Sequence, residues 1–190
     1  MPIDFDLESI REEHNCENYF ETGLWDPRLS HISTYKALSC NFKTVHCIEI
    51  REDWVSMGKE IFKQQIEDGK YNLYRDDSTN MGKYLSTEVF KNKTIFFLDA
   101  HVDNADISDF KYRCPLFDEL TAIGSIERKD NIILVDDLRI IKRAFPWGEQ
   151  SFGNIDFLEK IKQMILDINK DYKFKTLDGV EKDDVLYAYV

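Results

Sequence analysis

Short, nearly unbroken apolar runs alternate along this chain with longer stretches whose apolar residues recur at helical spacing. A strand buried on both faces needs such a continuous run rather than an in-out alternation. Thr44 to Ile50, Thr94 to Leu98 and Asn131 to Val135 have that character, and Asn18 to Gly23 and Tyr71 to Asp76 read as further strands. Between them, helices are predicted over Ser30 to Phe42, Glu52 to Gly69, Asn80 to Phe90, Cys114 to Ile126 and Ile155 to Asn169. Gly69 suits a C-cap, and Pro115 suits a first helical turn. Val102 to Arg113 and Leu138 to Gly153 read as irregular loops. Strand-helix alternation implies a parallel sheet with right-handed crossovers. The last two strands, Tyr172 to Leu177 and Val185 to Val190, are joined through Asp178-Gly179 with no room for a crossover helix. One of them must therefore run antiparallel to the rest.

At 190 residues with 43% hydrophobic content, the chain suffices for one core and is short for two. Residues 18 to 190 are expected to form a single domain, preceded by an N-terminal arm over residues 1 to 17. The net charge of -11 disfavours phosphate backbones and anionic lipid, so neither nucleic acid nor a membrane is expected as a partner. No apolar run approaches the roughly 20 residues that span a bilayer, and the acidic start MPIDFDLESIREEH is unlike a secretory signal, so a cytoplasmic location is expected. Cys16, Cys40, Cys47 and Cys114 match no zinc spacing and are expected to be reduced and mostly buried.

In open parallel sheets, ligands bind beyond the carboxyl ends of the strands. Those ends carry Glu21 and Gly23, then Glu49, then Asp76, Asp77 and Ser78, then Asp99 and His101, then Asp136 and Asp137. Buried carboxylates need donors, cations or water. Adjacent strands lie about 5 Å apart, so Asp99, Asp136 and Asp137 would repel one another unless protonated or bridged by a cation. All-oxygen donors suit Mg²⁺ or Mn²⁺. The competing reading pairs Asp136-Asp137 with Arg139 or Lys142 at an ordinary loop start. Asp76, Asp77 and Ser78 would equally serve to cap the next helix. His101, beside acids that raise its pKa, is open as general base or as metal ligand. His14, His31 and His46 read as structural.

The segments Tyr19-Phe20-Glu21-Thr22-Gly23, Phe97-Leu98-Asp99-Ala100-His101, Cys114-Pro115-Leu116-Phe117-Asp118-Glu119-Leu120 and Ile133-Leu134-Val135-Asp136-Asp137-Leu138-Arg139 carry a resemblance. With the strand order and the closing strand pair, they resemble the class I S-adenosylmethionine-dependent methyltransferases, and among these the metal-dependent O-methyltransferases of sugars and small molecules. The resemblance implies a Rossmann-like, seven-stranded, mostly parallel α/β sheet with helices on both faces and a C-terminal antiparallel strand. It implies that Glu21, Thr22 and Gly23 line the methionine side of the cofactor, that Glu49 holds the ribose hydroxyls, and that Asp76, Asp77 and Ser78 lie near the adenine. Asp99 would touch the cofactor and join Asp136 and Asp137 on Mg²⁺ (or Mn²⁺). Asp99 and His101 would be catalytic, and His101, Arg139 and Trp147 would meet the acceptor, a hydroxyl of a sugar or glycan.

The two long loops also carry Tyr112, Phe145, Lys142 and Arg143, suited to a sugar face or a phosphate, or else to packing and charge balance. A metal-dependent nucleotide-sugar glycosyltransferase is one alternative. Another is a non-catalytic ligand-binding domain, because Gly23 is followed by Leu24-Trp25-Asp26-Pro27-Arg28 with no second glycine. A homodimer is compatible with the sequence.

Overall fold

A computed structural model of the chain describes residues 3–101, 115–142 and 156–190. Seven strands form one sheet: β1 (Asn18–Thr22), β2 (Thr44–Glu49), β3 (Tyr71–Arg75), β4 (Thr94–Leu98), β5 (Ile132–Val135), β6 (Lys173–Leu177) and β7 (Val185–Tyr189). Their order is β3-β2-β1-β4-β5-β7-β6. The first five pair in parallel, and β7 is antiparallel to both β5 and β6. The fold class is therefore the expected α/β one, and the strand reversed against the parallel set is the last.

Side chains alternate across each strand, and the alternation builds two cores. Tyr19, Val45, Cys47, Ile95, Phe97, Ile132, Leu134, Val185 and Tyr187 enter one. That core is covered by α1 (Leu7–His14), α2 (Ser33–Ser39), α3 (Glu52–Ile61) and α4 (Lys63–Glu67), through residues such as Leu7, Ala37, Val55 and Ile66. Phe20, Ile48, Phe96, Leu98, Ile133, Val135, Leu186 and Ala188 enter the other. There they meet α5 (Gly82–Leu85), α6 (Leu116–Ser125), α7 (Leu138–Ile141) and α8 (Phe157–Ile168). Within residues 3–17, Ile3, Phe5, Leu7 and Ile10 are buried in the first core, and Asp6 caps α1 by accepting the Ser9 N–H at 3.0 Å.

Three elements depart from the sequence pattern. The helix expected over Glu52 to Gly69 is broken at Phe62, whose ring turns inward against Tyr35 and Tyr71 at centroid distances of 4.9 and 5.3 Å. The helix expected over Asn80 to Phe90 is a 3₁₀ turn at Ser78–Asn80, the short α5, and a second 3₁₀ turn at Glu88–Lys91. Asp76 draws Asn80, Lys83 and Tyr84 toward itself and so competes with a regular helix. Leu138–Ile141, expected to be irregular, is helical, with Leu138 and Ile141 buried. Among the described residues no helix is long and apolar enough to cross a membrane. Cys16, Cys40 and Cys47 are buried free thiols, whereas Cys114 lies outside the described residues.

Candidate active site

The strand register sets up one edge. Thr22 lies opposite Ile48 on one side and Leu98 on the other, and Leu98 lies opposite Val135. One residue further on, Glu49, Gly23, Asp99 and Asp136 therefore fall in a single row. The ladder continues into that row: Gly23 N–H donates to Ile48 O (2.8 Å), Asp99 N–H to Thr22 O (3.2 Å) and Asp136 N–H to Leu98 O (3.1 Å). Gly23 has φ +89°, and a Cβ there would lie 2.8 Å from the Asp99 carbonyl oxygen. Only glycine lets the β1 and β4 ends approach this closely.

The acids after β4 and β5 do converge, in two overlapping groups. Ligand atoms of Asp99, His101 and Asp137 lie within 4.8 Å of one another, and so do those of Asp136, Asp137 and Asp184. The expected trio of Asp99, Asp136 and Asp137 is thus divided, with Asp137 common to both groups. Asp137 has φ +61°, which turns its side chain out of line with that of Asp136. Its Oδ2 is 3.4 Å from His101 Nε2, and its Oδ1 is 2.5 Å from Arg139 Nη2. Burial would raise the Asp137 pKa, but the contact with His101 and then the Arg139 charge hold it below the usual range. For Asp136 the His101 charge is a smaller opposing effect. Burial, then the charges of Asp99 and Asp137, push Asp136 up to about 8. Asp99 is raised by burial, with the Asp137 charge adding to it. Burial would lower His101, but contact with Asp137 and the charges of Asp137, Asp99 and Asp136 raise it.

This excess of negative charge is the observation that tests a cation here. Asp99 and Asp136 are held above their ordinary pKa by burial and then by neighbouring carboxylates, Asp137 for the first and Asp99 with Asp137 for the second, which a divalent ion would reverse. The two carboxylates of the first group suit Mg²⁺ or Mn²⁺, and its imidazole favours Mn²⁺ of the two. The second group is already closed by a guanidinium. Arg139 donates from its backbone N–H to Asp184 Oδ1 (2.9 Å) and from Nη1 to Asp184 Oδ2. Expected to meet a substrate, Arg139 instead pairs with two acids of its own chain, so part of the ordinary loop-start reading holds.

On the cofactor side, Glu49 is buried and its carboxylate is well occupied. Oε2 accepts from Leu24 N–H (2.9 Å) and Trp25 N–H (3.4 Å), and Oε1 from Arg51 N–H (2.7 Å). A carboxylate has about four acceptor positions, so one remains for a hydroxyl. Burial raises the Glu49 pKa, and the N–H groups of Arg51, Leu24 and Trp25 oppose it. Reaching Glu49 puts Trp25 at φ +64°, where a second glycine would be at ease. The Trp25 ring is exposed and lies 5.3 Å from Trp54. Ile50, next in the chain to the buried Glu49, is a large apolar side chain that is 58% exposed.

Other expected residues are turned away. Glu21 shares its sheet face with Tyr19, is fully buried, and accepts from Tyr19 OH (3.2 Å) and from Thr34 Oγ1, so it braces α2 against the sheet and does not line the cleft. Thr22 faces the opposite side, and its Oγ1 accepts the Asp99 N–H at 3.2 Å. Asp76 is engaged by Asp77 N–H, Asn80, Tyr84 and Lys83, while Asp77 caps the following turn by accepting Thr79 N–H at 2.9 Å. Both therefore shape their own loop, in line with the capping alternative, and Ser78 is buried beneath it. His46 sits between Tyr74 (3.0 Å) and Thr44 (2.9 Å), and His14 contacts Tyr187 OH. Trp147, Tyr112, Phe145 and Arg143 lie outside the described residues.

Sequence reasoning misses Glu119 and Asp184 as site residues. Glu119 projects from the buried face of α6 that also carries Leu116, Leu120 and Ile123, and an acid at that position is the available signal. Neither carboxylate oxygen has a hydrogen-bond partner at bonding geometry among the described residues. Burial pushes its pKa up to about 7, against the opposing effects of the Ser78 hydroxyl, the His101 charge and the Thr22 hydroxyl. The unfolded chain, with a value near 4.5, sheds this proton first, so wild-type stability falls as pH rises from there and levels off above about 7. Glu119→Gln is expected to remove that fall, gaining up to about 3 kcal/mol on wild type between pH 5 and 8, at about 1.4 kcal/mol per pKa unit. Urea unfolding at the two pH values measures it.

No protein-family model matches the chain, and no curated protein sequence matches it. Solved structures do. An O-methyltransferase from Bacillus cereus in complex with SAH is 14% identical, with 97% of this chain and 78% of that chain covered and a TM-score of 0.55. TomG from Streptomyces achromogenes, an O-methyltransferase involved in tomaymycin synthesis solved with SAM, is 12% identical, covering 97% and 77%, with a TM-score of 0.60. The SAH-bound methyltransferase PaMTH1 from Podospora anserina is 16% identical, covering 95% and 74%, with a TM-score of 0.53. At these identities the likeness is one of architecture: the chain has the α/β, Rossmann-like methyltransferase fold.

Proposed function

We propose that this chain is an S-adenosylmethionine-dependent O-methyltransferase whose acceptor is a hydroxyl of a sugar or glycan, assisted by Mg²⁺ or Mn²⁺. The observation that carries the reading is the row Glu49, Gly23, Asp99, Asp136 at the carboxyl edge, with His101 and Asp137 beside it. The SAM and SAH complexes among the structural neighbours support the donor.

When bound, the donor supplies an electrophilic methyl on sulfur and the ion supplies Lewis acidity that lowers the pKa of an acceptor hydroxyl. The chain's own contribution is placement. Glu49, fixed by three backbone N–H groups, keeps an acceptor position for a ribose hydroxyl. Ile50 offers an apolar face to the adenine, and Gly23 leaves room at the β1 end. Asp99, His101 and Asp137 would hold the ion. Burial would lower the pKa of His101, but contact with Asp137 and the charges of Asp137, Asp99 and Asp136 raise it, and a bound ion would compete with the proton for the ring. Aligning acceptor oxygen, methyl and sulfur is where most of the rate gain lies. Trp147 and the two long loops are assigned to the acceptor side. The net charge of -11 argues for a small or glycan acceptor over nucleic acid or membrane, and a cytoplasmic place remains the expectation.

The test is calorimetric titration with S-adenosylhomocysteine, then methyl transfer from labelled donor to a panel of sugars with and without chelator. Micromolar binding and chelator-sensitive transfer are expected. Binding without transfer would favour a non-catalytic domain, and binding of a nucleotide sugar instead would favour the glycosyltransferase.

A further inference from the structure

Asp184 lies just before β7 and is 1% exposed. Because β7 runs antiparallel to β5 with Val135 opposite Leu186, the chain entering β7 passes beside the chain leaving β5. Asp184 meets that segment three times. Its carbonyl oxygen accepts Leu138 N–H (2.8 Å), its Oδ1 accepts Arg139 N–H (2.9 Å), and its Oδ2 accepts Arg139 Nη1. The other guanidinium nitrogen of Arg139, Nη2, is 2.5 Å from Asp137 Oδ1, while Asp137 Oδ2 lies on the His101 side. One carboxylate thus divides its two oxygens between a guanidinium and the candidate ion site.

We propose that Asp184 is a positioning residue for that site, a reading that rests on the proposed ion at Asp99, His101 and Asp137. A guanidinium prefers to grip a carboxylate through both oxygens. Asp184 prevents this by claiming Nη1 and the adjacent backbone, so that Arg139 reaches Asp137 with Nη2 alone and from the far side. Without the Asp184 charge, Arg139 closes on both Asp137 oxygens and competes with the ion. The closing hairpin thereby decides whether the β5 acid is available.

The experiment is Mn²⁺ titration of the full chain, followed by the electron paramagnetic resonance signal of free Mn²⁺, at matched folded fractions. Asp184→Asn is expected to weaken Mn²⁺ at least about tenfold, Arg139→Gln to leave it as tight as wild type or tighter, and the double variant to match Arg139→Gln. A merely structural role for Asp184 lowers the melting temperature and gives no recovery in the double variant. If Asp184→Asn does not fold, Arg139→Gln and the double variant are compared alone, and equal affinities support the proposal. Unchanged affinity in Asp184→Asn, or a double variant weaker than Arg139→Gln, overturns it and leaves the ion site standing. No Mn²⁺ uptake by the wild-type chain removes both.

Discussion

Asp137→Asn is expected to cut divalent-ion affinity and ion-dependent turnover by at least about 100-fold while leaving S-adenosylhomocysteine binding within about threefold. Asp137 belongs to both acid groups and is the carboxylate kept most firmly ionised, because His101 and Arg139 flank it. Asparagine isolates the charge. It tolerates the left-handed conformation that Asp137 adopts at φ +61°, so the backbone turn survives. The fold should lose about 1–3 kcal/mol, since His101 and Arg139 both lose a charged partner. Ion affinity measured beside urea unfolding separates the two effects. An equal loss in Asp136→Asn is not expected, because burial and the charges of Asp99 and Asp137 push Asp136 up to about 8 and it stands outside the Asp99, His101 and Asp137 group.

Gly23→Ala is the second large effect. The new Cβ would meet three backbone atoms after β4: Asp99 O at 2.8 Å, Asp99 C at 3.2 Å and Ala100 Cα at 3.3 Å. None is the movable end of a side chain. The φ of +89° adds conformational strain for any residue with a Cβ. A loss of about 3 kcal/mol or more is expected in urea unfolding. Ion and nucleoside binding should fall together, because the β1 and β4 ends must part. Gly69→Ala is the control. Gly69 has φ +72°, but a methyl group there would meet nothing within 4 Å, so the change should cost about 1 kcal/mol and leave binding intact.

The inner strands β1, β2, β4 and β5 are legible because they are buried on both faces, which forces nearly continuous apolar runs, and acids follow those runs. The short link from Leu177 to Val185 likewise excludes a crossover and foretells the reversed strand. What the sequence hides is direction. Nothing in Tyr19-Phe20-Glu21-Thr22 tells which face α2 will cover, and that alone turns Glu21 inward to Thr34 and leaves Thr22 beneath the edge. The acid pair after β5 is visible, but its division depends on the positive φ of Asp137. Arg139 reads as a substrate residue because its partner, Asp184, lies 45 residues away and is brought near only by the hairpin register. Asp76 looks like a strand-end acid of the same kind as Asp99, yet Asn80, Lys83 and Tyr84 follow closely in the chain and consume it locally.

The most direct measurement is anomalous diffraction from crystals grown with Mn²⁺ and S-adenosylhomocysteine. The account predicts one strong manganese peak within coordination distance of Asp99 and Asp137, with the nucleoside ribose against Glu49. Manganese bound elsewhere on the chain, or an empty edge at saturating ion, would contradict it.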